Sequence, residues 1–245
     1  MNAEPPDWSR EAICLRRESS DGESLAAELY RRTCRVDFDQ PGVCVVALGP
    51  AIDSVGCRRL MVDLKRAMAR IHEATTGRTL VYLSATRFDQ QETTRPHLDG
   101  GPEECLLMLG YEPTAIESEL EIFDYARCAF DHGLSPQEFM ASHNPMFEAG
   151  QEILRPYAMR VPCFSRTEHR IVCINNSSAA WSESEPAWQG VLHTATIPAP
   201  DESERRIVDS TMIAPAPVGT PDAVDDGALD DFVTTSVVRR RGAGE

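Results

Sequence analysis

Residues 94–102 read Thr94-Arg95-Pro96-His97-Leu98-Asp99-Gly100-Gly101-Pro102. Arg95 to Asp99 reads as a short strand, ended by Gly100-Gly101. Side chains two apart on a strand project to the same face, so the His97 imidazole and the Asp99 carboxylate point the same way. A lone H-x-D occurs by chance in many chains, and a hydrogen-bonded pair at a strand end would explain it as well as a metal would.

Two segments farther along change that balance. In Gly190-Val191-Leu192-His193-Thr194-Ala195-Thr196-Ile197, His193 sits mid-strand among apolar and small residues, where a lone histidine is most often a satisfied core residue. In Arg205-Arg206-Ile207-Val208-Asp209-Ser210-Thr211-Met212-Ile213, an arginine opens an interior strand. Burying a guanidinium is costly unless an anion pairs with it. With Arg206 turned inward, Val208, Ser210 and Met212 share its face, and Arg205 is left to snorkel at the rim. Together the segments supply two imidazoles and one carboxylate, then an arginine one strand later. Two neutral histidines and a carboxylate on one face make the facial triad of non-haem Fe(II) oxygenases, which leaves coordination positions open. An arginine offers a bidentate partner for a carboxylate.

In this respect the chain resembles the Fe(II)/2-oxoglutarate-dependent oxygenase superfamily, over roughly residues 43–213. The resemblance rests on His97 and Asp99, the distal His193, and Arg206 beyond it. It implies a mainly β fold with flanking helices (α+β): a double-stranded β-helix, jelly-roll or cupin-like, with a helical insert. It implies Fe(II) held by His97, Asp99 and His193, with 2-oxoglutarate as cosubstrate paired to Arg206 and Ser210 beside it. O2 is then consumed as 2-oxoglutarate gives succinate and CO2, and hydroxylation is the default outcome on the substrate. Arg206 and Ser210 are four apart, whereas the plant-type pattern spaces them by two, which separates the chain from that subgroup. Asp99 argues against the halogenating branch, where Gly or Ala stands in its place.

The rest of the chain fits around these strands. Further strands are read at Val43 to Leu48, Leu80 to Leu83, Cys105 to Tyr111, Leu120 to Phe123 and Arg170 to Asn175. A short helix is expected over residues 25–32. A long amphipathic helix is expected over residues 54–75, capped by Asp53 or Ser54 and ended by Gly77. Ser135-Pro136-Gln137-Glu138 is a capping box, and Asn144-Pro145 repeats the start signal. The expected organisation is an N-terminal extension (1–34), a catalytic domain (35–213) with a helical insert near 124–157, and an acidic tail (214–245) without structure. In the insert, Tyr125, Phe130, Phe139 and Phe147 are expected to be core. His132, His143 and His169 are expected at the surface. Arg87, Arg95, Asn175 and Asn176 are candidates for substrate or cosubstrate contact by position alone.

A formal net charge of −15 disfavours a polyanionic partner, so nucleic acid is not expected. The basic run Arg239-Arg240-Arg241 stands apart from that balance. Eight cysteines with no C-x-x-C spacing read as reduced core thiols. With no apolar leader and no run long enough to span a bilayer, the expectation is a cytoplasmic enzyme acting on a small molecule, away from membranes, its oligomeric state open. Two alternatives remain. One is a cupin-like metal enzyme that does not use 2-oxoglutarate. The other is a non-catalytic β-sandwich binding protein.

Overall fold

The computed structural model describes residues 8–17 and 22–240. Its strands are β1 (Cys14–Arg16), β2 (Val43–Ala47), β3 (Arg78–Asp89), β4 (Leu106–Tyr111), β5 (Glu119–Phe123), β6 (Ala158–Val161), β7 (Arg170–Asn175), β8 (Leu192–Thr196), β9 (Ile207–Pro217) and β10 (Arg239–Arg240). Its helices are α1 (Arg10–Ile13), α2 (Gly22–Thr33), α3 (Ser54–Thr76), α4 (Tyr125–Asp131), α5 (Pro136–Ser142), α6 (Glu148–Leu154) and α7 (Asp226–Thr234).

The strands form a larger sheet in the order β1-β2-β7-β4-β9-β3-β10 and a smaller one in the order β6-β5-β8. Strands from β2 to β3 across the larger sheet pair antiparallel, as does all of the smaller sheet; β1 and β10 add parallel edges. The period-two alternation of strand side chains divides the larger sheet into two apolar faces. Cys44, Val46, Leu106, Met108, Ile171 and Cys173 face a helical layer. Val43, Val45, Leu107, Leu109, Val172 and Ile174 face the smaller sheet and pack with its Leu120, Ile122 and Val161. Burial on both faces explains why these strands read as unbroken apolar runs.

The helical layer is led by α3. Asp53 accepts from the Gly56 N–H at 2.7 Å to start it, and Gly77, at φ 71°, closes it by donating to the Glu73 carbonyl. Met61, Leu64 and Met68 repeat at three- and four-residue steps and are buried. Each contributes roughly 1.5–3 kcal/mol by leaving water. α2 lies within the expected N-terminal extension, yet buries Ala26 and Leu29 in the same core.

α4 to α6 form the expected insert and cover the other side. Phe123, Tyr125, Phe139, Leu154 and Leu192 pack there with Phe38. A buried fork between Arg35 and Asp124 ties the start of α4 to the chain after α2. The Ser135 capping box forms as read. The next helix does not start at Asn144: the Asn144 side chain and carbonyl first close a turn on Met146 and Phe147, and α6 begins at Glu148. Tyr125 and Phe139 are core, whereas Phe130 and Phe147 are exposed.

The structure departs from the sequence reading in three further places. Residues 95–99 are not a strand; only His97 pairs, through an isolated bridge to His193. The segment from 214 is not an unstructured tail. β9 runs to Pro217, and α7 buries Leu229, Phe232 and Val233 against the α3 layer. Three apolar residues at helical spacing, capped by Asp225 on the Ala228 N–H, outweigh an otherwise acidic composition. The α7 end is held from below: Arg58 donates to the Val233 and Thr235 carbonyls and Arg87 to that of Thr235. Arg239 and Arg240 form β10, and Arg241 lies outside the described residues. His169, expected at the surface, is buried. Seven of the eight cysteines are buried. No described helix is long and apolar enough to cross a membrane.

Candidate metal centre

His193 lies on β8, opposite Ile122 of β5, with its ring turned into the space between the sheets and 8% exposed. β8 is the last strand of the smaller sheet, so its free edge takes up the segment that carries His97. The two histidines exchange both backbone hydrogen bonds at 3.1 Å. Residues so paired carry their side chains on one face, and the ring centroids are 4.4 Å apart. Asp99 follows two residues later and turns its carboxylate to both rings: Oδ1 is 3.6 Å from His97 Nε2, and Oδ2 is 3.9 Å from His193 Nε2. One donor atom from each residue lies within 4.8 Å of the others.

The electrostatics suit a cation. His97 Nδ1 is 2.7 Å from the Arg95 carbonyl, which can only accept, so Nδ1 carries a proton and the neutral ring offers its Nε2 lone pair to a metal. Burial, reinforced by the neighbouring His97, pushes His193 down to about 4, so its imidazole is neutral at physiological pH. That is the form a metal binds. The side chains of His97 and Asp99 remain 31% and 36% exposed, so the centre opens to solvent on one side. Two imidazole nitrogens and a carboxylate with an open side fit a divalent iron.

Arg206 precedes β9 and is 1% exposed. Its Nε donates to Ser118 Oγ at 3.0 Å and its Nη1 to the Gln90 carbonyl at 2.9 Å. The guanidinium is stacked by Phe164 and Tyr111, 4.6 and 5.4 Å from the ring centroids. Its Nη2 is buried without a hydrogen-bond partner, and no carboxylate forms a salt bridge with it among the described residues. A buried cation with an unsatisfied N–H calls for an anion. Arg206 lines the same pocket as His97, Asp99 and His193, with Val208 and Ser210 on its strand face as read. The pocket holds about 500 Å³, its open mouth included. Larger hollows lie elsewhere, such as the one of about 800 Å³ beside Trp8 and Phe164, but they lack the triad. Arg205 is exposed.

The positional candidates separate. Arg87 lies on the opposite face of the larger sheet, paired with Glu112 and Asp209. Arg95 points to the insert and donates to the Met146 carbonyl. Asn175 is structural, donating to the Thr33 carbonyl. Asn176 meets the backbone of Asp99 at both N–H and C=O, at 2.9 Å each. Ser118, Gln90, Tyr111 and Phe164, which set Arg206, carry no signal in a single sequence, because only the fold brings them together.

No family model matches the chain, and no curated protein matches it. Among solved structures, the chain is similar in outline to a taurine dioxygenase from Burkholderia xenovorans. The two are 10% identical, with a TM-score of 0.42, covering 89% of this chain and 94% of that one. A likeness at that level transfers no residue roles.

Proposed function

We propose that this chain is an Fe(II)- and 2-oxoglutarate-dependent oxygenase on a double-stranded β-helix, acting on a small metabolite. One observation carries the reading: a two-histidine, one-carboxylate cluster shares its pocket with a buried arginine that has an unpaired N–H. A bare metal site has no use for that arginine, and no carboxylate among the described residues forms a salt bridge with it. The pairing favours an oxygenase that uses a 2-oxo diacid over a cupin-like enzyme that does not.

His97, Asp99 and His193 would hold the iron, which when bound would supply oxidation of a substrate C–H bond by O2, coupled to conversion of 2-oxoglutarate to succinate and CO2. The chain's own residues do the positioning. Arg206 binds the distal carboxylate of the 2-oxo acid and fixes its depth, with Ser210 on the same strand face. Phe88, Leu109 and Val208 line the inner pocket beside Arg206 with apolar side chains, a setting in which charge pairing is stronger than in water. The α4–α6 layer packs on Leu98, which lies between His97 and Asp99 in the chain. The acidic surface favours a small substrate over nucleic acid.

The test is an anaerobic titration with Fe(II) and then 2-oxoglutarate, read as a metal-to-ligand charge-transfer band in the visible. The band is expected in the native chain and absent in His97→Ala. Iron uptake without a band would move the reading to the cupin-like enzyme. No iron uptake would sink the catalytic reading.

A further inference from the structure

We infer that Asn176 is a positioning residue for the Asp99 arm of the metal centre, an inference that rests on the metal reading above. Asp99 sits in a stretch without regular structure, beyond the single bridge at His97. No strand ladder fixes its backbone. Instead the Asn176 carboxamide spans the residue: Oδ1 accepts from the Asp99 N–H and Nδ2 donates to the Asp99 carbonyl, both at 2.9 Å. Two bonds from one planar group set the rotation of the Asp99 peptide units, and hence where its carboxylate lies against the two imidazoles.

The asparagine can do this because it is itself held. It follows β7 directly and is 2% exposed. Its N–H donates to the Cys105 carbonyl at 2.9 Å, and its Nδ2 also reaches Cys105 Sγ at 3.2 Å. The next residue closes the lock, because Ser177 Oγ accepts from the Cys105 N–H at 3.1 Å and donates to its carbonyl at 3.2 Å. Gly101 lets the Asp99 loop lie flat on this base. A Cβ there would come within 2.9 Å of Cys105 Sγ and 3.0 Å of Met212 Sδ. A rigid anchor at the start of β4 and the end of β7 thus governs a ligand that the sheets do not reach.

Neighbouring Asn175 provides the control. It is equally buried but bonds to the Thr33 carbonyl and the Ser177 N–H, not to Asp99. The experiment measures Fe(II) binding by calorimetry under nitrogen, with metal-free thermal midpoints, for the native chain, Asn176→Ala, Asn176→Ser and Asn175→Ser. Asn176→Ala is expected to weaken Fe(II) about 10–100-fold, the usual effect of removing a group that orients a ligand. Asn176→Ser, which keeps one hydrogen-bonding group, falls between Asn176→Ala and the native chain. Asn175→Ser lowers the midpoint but leaves Fe(II) affinity within about threefold, short of that range. Native-like Fe(II) binding in both Asn176 variants would overturn the inference and leave the metal centre standing. So would equal weakening by Asn175→Ser, which would mark a general loosening of the turn. If Asn176→Ala does not fold, Asn176→Ser against Asn175→Ser decides. A native chain that takes up no Fe(II) would remove the metal reading and this inference together.

Discussion

His97 and His193 face each other across one antiparallel bridge, each donating its N–H to the other's carbonyl at 3.1 Å. The two candidate histidine ligands are therefore brought together by backbone pairing at the free edge of β8. His193→Ala should abolish Fe(II) binding at concentrations that saturate the native chain, a larger effect than the 10–100-fold of a supporting residue. It should not unfold the metal-free chain, because the bridge uses backbone atoms only. Calorimetry for the metal and circular dichroism for the fold check the two halves. Collapse of the fold in this variant would show that the ring, and not the bridge, holds the edge.

Arg206 gives a prediction about ligand choice. Its unpaired Nη2 should be satisfied by the distal carboxylate of 2-oxoglutarate and by nothing on 2-oxobutyrate, which lacks that group. In the presence of Fe(II), 2-oxoglutarate should raise the melting temperature and 2-oxobutyrate should do so far less. Arg206→Gln should erase the difference by weakening 2-oxoglutarate by at least about 2 kcal/mol, the low end for truncating one side of a buried charge pair. Differential scanning fluorimetry under nitrogen reads all four combinations. Equal stabilisation of the native chain by both acids would refute the role given to Arg206.

His97, Asp99, His193 and Arg206, which the fold gathers at the candidate site, could be picked out in the sequence, and the limits of that reading are physical. β2, β4 and β7 announce themselves because burial on both faces leaves them unbroken apolar runs, and α3 because its caps and its three-four spacing agree. Arg206 stood out because a guanidinium at the head of an apolar strand is costly without a purpose. The segment around His97 misled because its one pairing comes from β8, far along the chain, and because Asp99 is held by an asparagine side chain instead of a ladder. α7 was hidden by composition: Leu229, Phe232 and Val233 are three apolar positions among aspartates, glycine and alanine. Their partners on α3 exist only in the folded state.

That helix makes the third prediction. Phe232→Ala should cost about 3 kcal/mol of folding stability, the lower end for a buried aromatic, because the side chain lies at the margin of the core. Urea unfolding measures it. Deleting the chain from Pro221 onward should cost more, since it also strips Arg58 and Arg87 of the Val233 and Thr235 carbonyls and leaves two buried guanidiniums short of acceptors. Fe(II) affinity of Phe232→Ala should stay native, because α7 and the triad lie on opposite faces of the larger sheet. A stability loss below about 1 kcal/mol would show that α7 is only loosely seated.

The last prediction concerns acid. His72 is 2% exposed on α3, with Nδ1 2.7 Å from the Tyr30 hydroxyl and Nε2 buried without a partner. Burial, with Arg78 adding to it, pushes His72 from its ordinary 6.5 down to about 4. His169 is lowered by burial as well. A histidine depressed in the folded state takes up its proton more readily when unfolded. Its stabilising contribution is therefore complete above pH 6.5 and drains away as pH falls toward 4. Metal-free protein should lose stability steadily between those limits, His72 alone accounting for about 1–2 kcal/mol by pH 5, on the scale of 1.36 kcal/mol per pKa unit. His72→Gln has no proton to gain and should show a correspondingly shallower decline. His193 falls in the same window and remains in both proteins, so the difference between the two curves isolates His72. Urea midpoints at pH 7, 6 and 5 are sufficient. Parallel curves would mean that His72 titrates normally and that water reaches its Nε2 in solution.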